Sequence, residues 1–406
     1  MFAHLKFALN KKGDGFMKAL TGYSVNTNAY QAGLEAAKMA GKEKDAKLVF
    51  AYMSCDYNVK QVLKGIKEVY SCPVIGNTSF TGVVMPEGYI GGDNPFVGIM
   101  VLCDSSMVVG VGFADRKDYP CAITAGEEAT KKAKAMMKLP AGVNPRLMYM
   151  VASPTEEEFF LKGANKVIGR VPLFGGSAAD NTIAGKWSLY LDGKTTGEGV
   201  AVALMYMKNG FKNEFTGAYR ETTDMGIITK IKGNRTLVEI DGVPAVTKYA
   251  KWRKMKTSQL AGDKLLVETI TSPLGVKDPL GDLTAIRHPM FANDDMSMNI
   301  GANLAVGTTV IRMEATVDEL IKSVGQTLKV LKKQCGDKEI VAYHLVHCGG
   351  RRAGIGDRIK EVHKEIKKNV NKVPYIMEFT FGEYGYVDDG RNTTGGLMLS
   401  FTAITK

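Results

Sequence analysis

Two tryptophans, five histidines and six cysteines in 406 residues leave little material for metal or disulfide chemistry. The cysteines (Cys55, Cys72, Cys103, Cys121, Cys335 and Cys348) form no C-x-x-C pair. Neither a zinc site nor a disulfide framework is therefore expected, and the thiols read as free in a reducing compartment. His4, His288, His344, His347 and His363 show no ligand spacing, so no intrinsic metal is expected. The longest apolar run, Phe96 to Cys103, falls far short of the ~20 residues a membrane-spanning helix needs. The N-terminal MFAHLKFALNKKGDG places Lys6 inside its only apolar run and lacks a small-residue cleavage site, which argues against a secretory signal. The expectation is a soluble, cytoplasmic protein with no membrane partner.

What is present is ordinary globular material, 45% hydrophobic and 23% charged, in a chain too long for one core. Two domains are expected. The net charge of +11 comes from lysines scattered along helical patterns, a solvated basic face without the interleaved aromatics of a nucleic-acid surface.

The chain repeats itself. LVFAYMS (48–54) reads as a buried strand, Asn58 to Val69 as a helix, and Cys72 to Ser79 as a returning strand. LMYMVAS (147–153), Glu156 to Ile168 and Pro172 to Ser177 repeat the pattern, with Leu63-Lys64-Gly65 recurring as Leu161-Lys162-Gly163. A more distant copy runs from IVAYHLVHC (340–348) through a helix from about Ile355 to Lys368, then Pro374 to Phe379. Strand, helix, Pro, strand is a crossover unit with parallel pairing. Ser153-Pro154-Thr155-Glu156 and Thr316-Val317-Asp318-Glu319 read as capping boxes. Short β-type runs fill the interval from Trp187 to Met313, and polar residues from Gly217 to Thr223 suggest a boundary between domains 1–217 and 218–406. The expected fold is α/β: mixed sheets flanked by helices, two related halves, in an α-β-β-α layering with internal strand-helix-strand repeats.

Four glycine-rich clusters follow strands. His347-Cys348-Gly349-Gly350-Arg351-Arg352-Ala353-Gly354 reads as a turn whose amides and Arg351 could hold an anion, or equally as a tight turn with surface arginines. It is neither G-x-G-x-x-G nor a P-loop. Glu383, with Asn392 and Thr394, could supply acceptors and donors, or could pair with an arginine and brace a turn. Gly175-Gly176-Ser177 and its repeat equivalent at Asn77-Thr78 could present amides to the same cleft. His347 and Cys348 project to opposite faces of a strand, so a nucleophile–base pair is not favoured and a buried thiol is expected.

Pro172-Leu173-Phe174-Gly175-Gly176-Ser177-Ala178-Ala179-Asp180, Cys348-Gly349-Gly350-Arg351, Gly382-Glu383 and Asn392-Thr393-Thr394, in that order, resemble the FIST family over about Asn28 to Phe401. The resemblance implies an N-terminal and a C-terminal FIST domain, a sensory role and a small ligand such as an amino acid. The implied ligand-binding residues are Cys348, Arg351, Glu383, Asn392 and Thr394; an amino acid among them is expected to place its carboxylate on Arg351 and its ammonium on Glu383. Arg352, Tyr384-Gly385-Tyr386 and Asp388-Asp389 depart from the family pattern. With no kinase, cyclase or receiver region attached, output would pass through a separate signalling protein or a homo-oligomer. No cofactor is expected, although haem-binding members make His288 or His344 candidate axial ligands. The competing class is an enzyme using Cys348 as nucleophile.

Overall fold

The computed structural model describes residues 17–277, 283–387 and 391–406. The N-terminal stretch read for a leader and the Asp388-Asp389 turn with Gly390 lie outside them. Each sequence repeat folds as one strand-helix-strand unit. In the first, Ala46–Met53 and Val74–Thr78 pair in parallel around helix Val59–Lys67; in the second, Leu147–Ala152 and Leu173–Ser177 do so around Glu157–Ile168. In the third, Ile340–Cys348 and Tyr375–Thr380 pair across helices Gly349–Ile355 and Ile359–Val370.

The three units interlock. Each builds four strands of one sheet and lends a hairpin to another. Gly82–Met85 and Gly88–Gly91 of the first unit complete the third sheet, Leu189–Leu191 and Lys194–Thr196 of the second complete the first, and Glu383–Gly385 and Thr393–Gly395 of the third complete the second. The outer face of each sheet packs on its own helices, and the inner faces of all three meet in one central core. Phe50, Tyr149 and His344, at matching positions of the three central strands, stack edge to face with centroids 4.8, 4.9 and 5.7 Å apart. The fold is α/β as expected, and the repeat is threefold.

A fourth sheet, carried by residues 220–314, is inserted in the third unit between strand Phe211–Thr216 and helix Val317–Cys335. It has its own core under helix Ala245–Arg253. Strand Phe211–Thr216, just before the expected boundary, pairs with the C-terminal strand Leu399–Thr405.

The recurring glycines have a packing cause. A Cβ on Gly65 would lie 2.2 Å from the Tyr30 carbonyl oxygen, and one on Gly163 2.0 Å from that of Ile123, so both sit where two helices touch backbone to backbone. Gly76 and Gly175 match in the same way: a Cβ there would lie 1.8 Å from the Ala51 oxygen and 1.9 Å from the Met150 oxygen.

Thr316 caps its helix as expected, with Glu319 closing the box. Ser153 does not cap: its hydroxyl accepts from Gly199 N at 3.1 Å, Thr155 adopts φ 86°, and the helix starts at Glu157. The glycine-rich segment after Cys348 is a helix, not a turn, because Cys348 Sγ accepts from Gly350 N at 3.2 Å and caps it. Among the described residues no helix is long and apolar enough to cross a membrane.

Candidate functional site

Because each unit lends its hairpin to the next, the three units close into a ring around the central core, and the C-terminal ends of their parallel strands converge on one side of it, where open α/β sheets place ligands. The inserted sheet lies over them and lines a partly open cavity of about 390 Å³, within the size range of small-molecule sites. The ring contributes Thr155 and Glu157 from the second unit and Cys348 to Gly350 from the third. The insert contributes Arg235, Leu266, His288 and Met290. Phe80, Phe381 and Trp187 form an aromatic wall, with Phe381 5.9 Å from Phe80 and 6.0 Å from Trp187. The Trp187 indole donates to Gly197 O at 3.0 Å, so its ring face is what remains for a ligand. Thr155, a β-branched residue in the left-handed region, is the kind of backbone strain that surrounding structure must hold in place.

One charged constellation interrupts this apolar surface. Arg235 Nη2 donates to Glu157 Oε2 at 2.9 Å and to Glu158 Oε2 at 2.5 Å, and its Nη1 to Gly301 O at 3.0 Å. Burial raises the Glu157 carboxyl above its ordinary range, and Arg235 opposes that rise. The triad ties the ring to the inserted sheet.

Of the residues expected to bind ligand, Cys348 lines this cavity. Its Sγ also accepts from Leu397 N at 3.1 Å, and burial pushes the thiol well up, so it does not fit an activated nucleophile. Arg351 is sealed in the interior, donating to Gly217 O at 2.8 Å, Leu320 O at 2.9 Å and Ser323 Oγ at 2.6 Å. Glu383 is equally buried, accepting from Thr380 Oγ1 at 2.9 Å and Met398 N at 2.8 Å. The carboxylate–Arg351 and ammonium–Glu383 contacts are therefore corrected: both side chains are occupied within the protein and lie behind the cavity wall.

Gly175 and Gly176 are strand residues paired with Tyr384 and Glu383, and their backbone serves the sheet and not a ligand loop. Ser177 Oγ sits behind Glu157, 3.4 Å from its Oε1 and 2.8 Å from the Tyr384 hydroxyl. Thr78 Oγ1 accepts from Ser188 N at 2.9 Å. Asn77 belongs to a polar chain in the ring core. Tyr52 donates to Tyr149 (3.1 Å) and Tyr149 to Asn77 Oδ1 (3.3 Å), while Asn77 Nδ2 donates to Glu378 Oε2 (2.9 Å). Tyr52 also shares a hydrogen bond of 2.5 Å with His344 Nε2. Asn392 and Thr394 line a different pocket.

A haem ligand does not fit these histidines. His288 faces the cavity, but its Nε2 donates to Leu266 O at 3.1 Å. His344 is fully buried in the ring core.

The sequence profile of the FIST N domain matches residues 47–243, and that of the FIST C domain matches 245–386. The chain belongs to the FIST family. FIST domains are associated with sensory signal transduction. No curated protein matches the FIST chain. Among solved structures, it is similar to cyanuric acid hydrolase from A. caulinodans, at 8% identity and a TM-score of 0.38 over 96% of this chain and 100% of that one. A second cyanuric acid hydrolase structure aligns at 8% identity and a TM-score of 0.34, covering 96% and 99%. Sequence reasoning about the FIST chain missed Glu157 and Arg235. Glu157 stands in a helix start that reads as capping, and Arg235 in a polar hairpin turn, Gly233-Asn234-Arg235, that carries no periodic signal.

Proposed function

We propose that this FIST chain is a cytoplasmic sensor that binds an amino acid with an apolar side chain in the cavity beneath the inserted sheet. The Glu157–Arg235 pair at the edge of an otherwise apolar chamber carries the reading. A zwitterion offers Arg235 a carboxylate and Glu157 an ammonium, while the aromatic wall takes the side chain. In the free protein the two charges satisfy each other, which avoids an unpaired buried charge. A ligand inserted between them replaces a direct link from ring to insert by a longer one, and that change in spacing is the signal passed to a separate partner or to a second copy of the chain.

A thermal-shift screen with leucine, methionine and phenylalanine against glycine, glutamate and lysine tests this, because a ligand at 100 times its Kd adds roughly 2.7 kcal/mol. Stabilisation by the apolar set, lost in Arg235→Met, is expected. No shift with any of the six would overturn the reading.

A further inference from the structure

A second pocket, of about 440 Å³, lies between helix Glu157–Ile168 and the strands Leu274–Lys277 and Thr284–Arg287 of the inserted sheet. It backs onto the first: Glu157 lines one, Glu158 lines the other, and Arg235 bonds both. Its wall carries Lys162 and Arg287 against one lining carboxylate, that of Glu158, while Lys277 beside them is paired with Glu221 at 3.3 Å. Glu158 is already engaged, by Arg235 and by Asn303 N at 2.9 Å on Oε1. Arg287 meets only carbonyls among the described residues, donating to Asn303 O at 3.1 Å and to Ile286 O and Thr394 O, both at 3.2 Å. Among the described residues, the charges of Lys162 and Arg287 on this wall therefore outnumber its one carboxylate.

It also holds polar atoms with no hydrogen-bond partner among the described residues. Thr394 is 3% exposed, and its hydroxyl has no hydrogen-bond partner among the described residues. The same is true of the buried Oδ1 atoms of Asn165 and Asn392, and all three residues line this pocket. Asn392 has committed its Nδ2 to Val171 O at 2.7 Å, so an acceptor is what it has left. Buried polar groups are ordinarily paired, and exceptions gathered at one pocket call for a partner from outside. Cations suit an oxyanion; the leftover amide oxygens suit hydroxyl donors.

We infer that this pocket binds a hydroxylated phosphate ester of sugar-phosphate size, with the phosphate on the Lys162 and Arg287 side and hydroxyls on Asn165 and Asn392. The site is separate from the amino-acid cavity and does not depend on that reading.

Calorimetric titration of the full chain with ribose 5-phosphate, inorganic phosphate and ribose tests the assignment. Saturable one-site binding is expected for ribose 5-phosphate, tighter than for either fragment. Thr394→Val removes a hydroxyl with no hydrogen-bond partner among the described residues, so its melting temperature should match the parent's while its affinity falls about tenfold. Lys162→Gln should weaken binding and flatten its salt dependence. The inference is overturned if ribose 5-phosphate shows no saturable binding, if the Val variant binds like the parent, or if inorganic phosphate alone binds as tightly as the ester.

Discussion

Glu157, on a helix of the ring, and Arg235, in a hairpin of the inserted sheet, meet at 2.9 Å across the wall of the main cavity. Removing the guanidinium leaves a carboxylate that is 2% exposed without its counter-charge. Arg235→Met should therefore cost about 3 kcal/mol at pH 8. The loss should shrink at pH 5, because burial raises the Glu157 pKa and the orphaned group is then neutral. Chemical denaturation at the two pH values would show this; an equal loss at both would mean that the pair is not what Arg235 contributes.

The ring core carries a second titrating acid. Burial pushes Glu378 from 4.5 up to about 8. A carboxyl raised on folding binds its proton more tightly in the native state, so its contribution to stability is full below about pH 4.5 and is lost as pH rises toward 8. Glu378→Gln keeps an acceptor for Asn77 and has no charge to bury. Its stability relative to the parent should climb by about 1.4 kcal/mol per pH unit across that window. Parallel pH profiles for the two proteins would rule this out.

Arg351 joins Gly217 O and Leu320 O inside the protein, so its role is structural and visible without ligand. Arg351→Met should lower stability by about 3 kcal/mol through the carbonyls it strands. A ligand-free melting temperature equal to the parent's would return Arg351 to the binding residues.

Thiol reactivity separates the sensor from a cysteine enzyme. Cys348 is 3% exposed and its thiol is pushed up by burial. The Cys121 thiol is held below its ordinary value by the backbone N–H of Thr124 at a helix start. Iodoacetamide at neutral pH should label Cys121 first and Cys348 only on unfolding, as peptide mapping over time would show. Rapid selective labelling of Cys348 would instead favour catalysis.

The fold was legible wherever a residue's reason is local or repeated. Leu63-Lys64-Gly65 and Leu161-Lys162-Gly163 marked equivalent helices because the same glycine contact is needed twice, buried apolar runs marked the central strands, and the Thr316–Glu319 box marked its helix. Partner choice was not legible. Nothing in Gly82–Met85 or Glu383–Gly385 states that each hairpin leaves its own unit, since strand pairing across units is decided by the assembled core. The site suffered for the same reason: Arg351 reads equally as an anion ligand and as a surface cation until the strand ends close around it, whereas Arg235 acquires its meaning from Glu157, a residue far away in the chain.

An amino acid in the cavity would lie beside Trp187, whose emission can report it. In a Trp252→Phe background Trp187 is the sole tryptophan, and its emission can be followed during titration with phenylalanine and leucine. A saturable change that disappears when Arg235→Met is added is the predicted result. Emission that stays constant through millimolar amino acid, or that changes equally in the Arg235→Met protein, would contradict it.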